Sequence, residues 1–229
     1  MERTSGGLPE YRVAVVTGGS RGIGAETVER LAGVGYAVVV DYAHDQQAAE
    51  STVEMILARR GSAVAIRADV VDELDMERLF TETKEMFGAI DAVVHTVRGR
   101  ALTKSVSSVS LDEFESLCRM NLRATLIVNG LAARHLRDGG AIVNVITAVG
   151  DPALPYYGAQ ATVTAAVETL TRVLALELRE REIVVNAIAL EVDRPYAPGV
   201  TADLITYLVS EVGHGVTGDV IDPESFHVD

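Results

Sequence analysis

Arg12-Val13-Ala14-Val15-Val16-Thr17-Gly18-Gly19-Ser20-Arg21-Gly22-Ile23-Gly24 is the stretch whose reading decides the fold. Its first six residues are apolar or β-branched enough for a buried strand. The glycines that follow are too dense for the interior of a strand or a helix. Beyond Gly22, residues Val28, Leu31 and Ala32 recur at helical spacing, and a helix is expected over 22–34. A strand, a glycine turn and a helix in that order leave the first helical amides unpaired. They also aim the positive end of the helix dipole at the turn, which suits an anion. Gly18 permits the tight turn, Gly22 lets the backbone approach a pyrophosphate, and Gly24 lets the helix lie close to the strand. Ser20, Arg21 and Ile23 complete the loop. The competing reading is a tight turn that holds nothing.

The same alternation runs down the chain. Strands are expected over 12–17, 36–41, 63–68, 91–96, 141–147, 183–189 and 217–221. Helices are expected over 46–60, 73–87, 111–136 (one long helix or two joined), 158–181 and 202–211. Near-continuous apolar strands between amphipathic helices imply a parallel sheet covered on both faces. Right-handed crossovers make such a sheet doubly wound, with ligands beyond the carboxyl ends of its strands. The expected fold is a three-layer α/β/α sandwich around a parallel sheet of about seven strands. Residues 1–10 read as a polar tail and 11–229 as a single domain. The segments that reach the ligand edge are 17–24, 41–45, 69–72, 95–101, 147–157 and 190–200.

Bulk properties narrow the function. The 229 residues carry a net charge of -13, from 20 basic and 33 acidic side chains. That balance disfavours nucleic acid and anionic membranes, whose phosphates need Lys and Arg. The lone Cys118 cannot form an internal disulfide, so a reducing cytoplasmic setting is expected. Residues 1–9 contain no apolar segment of the signal-peptide kind, and no apolar run is long enough to span a bilayer. His44, His135, His214 and His227 show no metal-type spacing, so no metal is expected. Asp72, Glu73 and Asp75 read as acids that complement a helix N-terminus.

Thr17-Gly18-x-x-x-Gly22-x-Gly24 resembles the cofactor signature of the short-chain dehydrogenase/reductase family, and the resemblance extends over about residues 11–190. It implies a Rossmann-like dinucleotide-binding domain. It further implies that Asp69 and Val70, after the third strand, meet an adenine ring, and that Tyr42, after the second, reads the ribose. Family members that use NAD carry an acid where this chain has Tyr42. Arg21 could face a 2′-phosphate. The resemblance therefore implies NADP or NAD, with NADP slightly favoured.

The resemblance also implies catalytic positions. Family members place a Tyr and, four residues later, a Lys at the start of the fifth helix. A Ser lies about thirteen residues upstream, and an Asn in the preceding long helix. Aligning Leu170-Thr171-Arg172-Val173-Leu174-Ala175-Leu176-Glu177 with the corresponding family stretch puts Gln160 at the Tyr and Thr164 at the Lys. It puts Thr147 at the Ser and Asn121 at the Asn. The family chemistry needs a phenol whose pKa is lowered by a neighbouring cation. Gln160 has no proton to give, and Thr164 carries no charge. Tyr156 and Tyr157 lie close by, but Gln160 and Ala161 stand four residues after them. A shifted alignment would supply Tyr157 without its Lys. Around the cofactor's reactive end, His95-Thr96-Val97-Arg98 replaces the family's Asn-Asn-Ala-Gly, and Leu190-Glu191 replaces its Pro-Gly.

Three functions remain open at this stage. The first is a non-catalytic or partner subunit, as a homodimer, a homotetramer or a hetero-oligomer with a catalytic homologue. It would assemble through the helices at 111–136 and 158–181, where Val163, Val167, Leu170 and Leu174 form an apolar stripe. The second is a proton-transfer enzyme built on His95, Thr147, Tyr156, Tyr157, Asp151 and Glu191 acting on a small-molecule substrate. The third is an NAD(P)-dependent oxidoreductase of carbonyl or alcohol substrates, with Thr147 and Asn121 contributing and Tyr157 or water as the acid.

Overall fold

Central strands buried at nearly every residue build one parallel sheet from β1 (Arg12–Thr17), β2 (Tyr36–Tyr42), β3 (Ser62–Arg67), β4 (Ala92–His95), β5 (Ala141–Ala148), β6 (Val184–Glu191) and β7 (Val220–Ile221). The order is β3-β2-β1-β4-β5-β6-β7. The computed structural model describes residues 12–96, 99–149, 154–192, 194 and 196–225. The tail expected over 1–10, and the readings placed on Val97, Arg98, Asp151 and His227, lie outside the described residues.

Side chains on a strand alternate between faces. Ala14 and Val16 of β1, Val38 and Val40 of β2, and Val94 of β4 enter one core with Val28, Leu31, Ile56, Ile205 and Leu208. These last five belong to α1 (Gly22–Gly33), α2 (Gln46–Ala58) and α7 (Pro198–Leu208). Val15, Val39 and Val93 point the other way, onto Met76, Leu79, Phe80, Val128, Leu131 and Leu174. Those come from α3 (Glu73–Phe87), α5 (Ala124–His135) and α6 (Gly158–Glu177). Each fully buried side chain of this size contributes about 1.5–3 kcal/mol. The three-layer doubly wound sandwich expected from the alternation is the fold observed.

Local chemistry sets the helix ends. Asp72 precedes α3, and its carboxylate accepts the amides of Leu74 at 2.9 Å and Asp75 at 3.1 Å. Gly88, at φ +85, closes the same helix. Asp72→Ala is expected to lower stability by about 1 kcal/mol in denaturant unfolding. An unchanged midpoint would show that the cap contributes nothing. The expected helix 111–136 is two helices, α4 (Leu111–Cys118) and α5, joined by a wider π turn at Arg119–Arg123. That turn carries Asn121. The last helix begins at Pro198 rather than 202, because Pro is suited to the first helical position.

The apolar stripe on α6 faces inward. Val163, Val167 and Leu174 are buried in the chain's own interior. Leu170 is half-buried, and the large apolar side chains exposed along 111–136 and 158–181 are Leu111, Leu126, Val173 and Leu176. Among the described residues, no helix is long and apolar enough to cross a membrane, and no group of three His, Cys, Asp or Glu could hold a metal.

Candidate functional site

The glycine loop is shaped by steric demands that differ from one residue to the next. Gly18 and Gly22 adopt φ +66 and +55, a region that L side chains rarely enter. A Cβ on Gly24 would lie 2.1 Å from the Gly18 carbonyl oxygen, so a hydrogen there is the condition for α1 to pack onto the turn. A Cβ on Gly22 would meet nothing within 4 Å, because that residue faces open space. Arg21 precedes α1 in extended backbone, no side chain caps the helix, and its first turn carries no acid. The first amides of α1 are therefore left open to water or an anion from the cleft.

That open space is a cleft of about 830 Å³ along the carboxyl edge of the sheet. Gly18, Ser20, Arg21, Gly22, Ile23 and Gly24 form one wall. Tyr42, Asp69 and Val70, from the ends of β2 and β3, line the same cleft. So the cofactor residues expected from the sequence are assembled in one place. The volume falls in the range usual for small-molecule and cofactor sites. At this edge Asp69 organises its own turn, its carboxylate accepting the Val71 amide at 3.2 Å. Asp45, just after β2, accepts the Ala48 amide at 3.1 Å as the N-cap of α2, and its other oxygen lies 3.8 Å from the Arg21 guanidinium.

Asp41 lies beneath the loop, 1% exposed, and its Oδ1 has no hydrogen-bond partner among the described residues. Burial raises its pKa from 3.8 to about 8, against the opposing pull of the Gly18 and Ala68 amides. An unfolded Asp ionises near pH 4, so between about pH 4 and pH 8 the folded chain holds the extra proton. Stability is then full below pH 4 and is lost as pH rises through about 8. Asp41→Asn is expected to remove a slope of about 1.4 kcal/mol per pH unit in that window. Melting curves from pH 5 to pH 8 would read this directly, and parallel curves for the two proteins would contradict it.

The four positions registered on the catalytic residues also come together. Asn121, Thr147, Gln160 and Thr164 surround a cavity of about 10 Å³, space for about one water. Thr164 Oγ1 donates to the Thr147 carbonyl at 2.6 Å. Gln160 Nε2 donates to that carbonyl and to Thr164 Oγ1, both at 3.3 Å. Gln160 and Thr164 are buried at 2% and 7% exposure, and neither lines the large cleft. Thr147 borders both spaces. Asn121 accepts the Gly99 amide at 3.2 Å and donates to the Leu117 carbonyl at 3.0 Å, so it ties the π turn to the loop after β4.

Of the residues read as a proton-transfer set, Thr147 and Glu191 line the cleft, while His95, Tyr156 and Tyr157 do not. His95 is 1% exposed, does not line the cleft, and has Nδ1 2.7 Å from Thr17 Oγ1. Burial lowers its pKa to about 4, so it is neutral at neutral pH. Glu191 does line the cleft, but it is paired with Arg194 at 3.2 Å. Tyr157 is buried at the start of α6 and is not a cleft residue. Tyr156 is exposed, with φ +73, and its carbonyl accepts the Lys104 amide at 2.7 Å.

Sequence reading missed Ser116 and Arg119 on α4 and its π turn, and took in Tyr196 only as part of the segment 190–200; all three line the cleft. No local motif marks them, since they meet the loop only through the tertiary fold. Asp45 did carry a signal, an acid immediately before a helical pattern.

Residues 12–193 match the family model for the short chain dehydrogenase. Versicolorin reductase 1 of Aspergillus parasiticus is 36% identical over 200 residues, covering 82% of this chain and 75% of that protein. A dehydrogenase/reductase from Sinorhizobium meliloti superposes with a TM-score of 0.85 at 30% identity, covering 92% of each chain. A short chain dehydrogenase from Burkholderia cenocepacia, solved in complex with NADP, superposes with a TM-score of 0.81 at 30% identity over 94% of this chain and 98% of that one. With the match running over most of its length and the glycine cleft in place, this chain belongs to the short-chain dehydrogenase family.

Proposed function

We propose that the chain binds a nicotinamide dinucleotide in the cleft and acts as an NAD(P)-dependent oxidoreductase of carbonyl or alcohol substrates, slowly, because neither residue 160 nor residue 164 can move a proton. The observation that carries the binding is the uncapped α1 N-terminus facing open space at Gly22. A pyrophosphate would sit against the amides of Gly22 and Ile23. Tyr42, Asp45, Asp69 and Val70 line the same cleft, where Tyr42 and Asp45 would border the ribose and Asp69 and Val70 the adenine. The reductase and dehydrogenase relatives support the redox assignment.

When bound, the dinucleotide supplies or accepts hydride. The chain's own part is orientation. Thr147 sits at the edge of the cleft with its carbonyl pinned by Thr164 and Gln160, so its backbone is held in place where it would orient a substrate. A carbonyl oxygen would be polarised there by a neutral hydroxyl, with solvent as the source of the proton.

The second reading is a non-catalytic partner subunit. The neutral, mutually bonded trio of Thr147, Gln160 and Thr164 favours it. Nicotinamide absorbance, followed with NADH and NADPH against a panel of ketones and secondary alcohols, separates the two. Substrate-dependent turnover above background supports the oxidoreductase. Intact nucleotide binding with no turnover supports the partner subunit.

A further inference from the structure

Arg21 is the loop cation that would greet a 2′-phosphate, and on the sequence alone it tilts the preference toward NADP. The structure places a competitor beside it. Asp45 is fixed at the start of α2, and each of its carboxylate oxygens has a separate task. Oδ1 accepts the Ala48 amide at 3.1 Å, and Oδ2 faces the Arg21 guanidinium at 3.8 Å. One carboxylate of the chain itself therefore caps the α2 N-terminus and stands beside the exposed Arg21 guanidinium, the two features that could hold an anion at this end of the cleft. Arg21 and Asp45 both line the cleft beside Tyr42.

We infer that Asp45 is a specificity residue that turns the cleft toward the dinucleotide with a free ribose 2′-hydroxyl, NAD(H), and against the 2′-phosphorylated form. The inference rests on the dinucleotide reading of the cleft. A 2′-phosphate brings a charge of about -1.5 to -2 at neutral pH. To be held there it must pull Arg21 away from Asp45 and then stand next to an unpaired carboxylate, a like-charge contact. A ribose hydroxyl meets no such repulsion, and the same carboxylate can accept its hydrogen bond. Specificity here comes from a repulsive element as much as from an attractive one.

The test is titration calorimetry of NADH and NADPH into the full chain and into Asp45→Ser. Serine is a good helix N-cap, so that variant keeps α2 started while it removes the charge and releases Arg21. The unmodified chain is expected to bind NADH at least about tenfold more tightly than NADPH. In Asp45→Ser that ratio is expected to shift toward NADPH by about tenfold or more. A structural weakening would lower both affinities together and leave the ratio unmoved, so the ratio is the readout. Equal or tighter NADPH binding by the unmodified chain overturns the inference, and so does an unmoved ratio in the variant while both nucleotides still bind. Failure of both nucleotides to bind the unmodified chain overturns the dinucleotide reading itself, and this inference with it.

Discussion

Gly24→Ala is expected to weaken dinucleotide binding by about 100-fold and to lower the melting temperature. The new Cβ would stand 2.1 Å from the Gly18 carbonyl oxygen and 2.8 Å from its carbonyl carbon. Both are backbone atoms, so no side chain can swing away to make room. Either the loop lifts or α1 retreats from the sheet. Overpacking of this kind costs about 1–3 kcal/mol. In a chain of this size that is roughly 3–10 °C in melting temperature. The same movement displaces the amides that would face the pyrophosphate, and a loss of about 2.7 kcal/mol there is about 100-fold in affinity. Gly33→Ala is the control, because it lies in the same helix with nothing within 4 Å of the added atom. It is expected to leave binding unchanged and stability equal or slightly higher. Normal nucleotide affinity in Gly24→Ala would show that the loop does not position the ligand.

The second large effect is a gain. Gln160 and Thr164 are one turn apart on α6, on the same face, and both reach the Thr147 carbonyl. A phenol at the first position and an ammonium at the second would restore a proton donor whose pKa is lowered by an adjacent cation. The double replacement Gln160→Tyr/Thr164→Lys is expected to raise hydride transfer on a responsive ketone by about 10²–10⁴-fold. Each single replacement is expected to give much less, since the two groups act as a unit. The larger side chains must enter a site with only about 10 Å³ to spare, so some stability will be lost. Rates at saturating nucleotide, compared across the unmodified, single and double variants, check this. A double variant that folds and binds nucleotide, yet turns over no faster than the unmodified chain, would remove residues 160 and 164 from the account.

How far the sequence could be read follows from which interactions are local. The glycine loop, the bounds of α3 and the continuous burial of β1, β2 and β4 depend on neighbours in the chain, and each was legible in residue order. The convergence of Asn121, Thr147, Gln160 and Thr164 was implied only by the resemblance to the family, because they lie on three separate elements that local spacing does not bring together. His95 was legible as a strand-end residue that either packs and hydrogen-bonds in place or faces the cleft, and the structure shows the first. It ends β4 in register with Thr17, and its ring turns into the interior to meet that hydroxyl, an orientation that a strand-end residue does not announce. The π turn around Asn121 was hidden because an added residue in a helix leaves the apolar pattern nearly continuous. The pairing of Arg21 with Asp45 joins two loops 24 residues apart, and only the parallel register of β1 with β2 brings them together.

The most direct test of the cleft as a dinucleotide site is a crystal structure of the full chain grown with saturating NADH. The account predicts the pyrophosphate against the amides of Gly22 and Ile23, with the adenine beside Asp69 and Val70. Nucleotide bound elsewhere on the chain, or a cleft left empty at saturation, would contradict it.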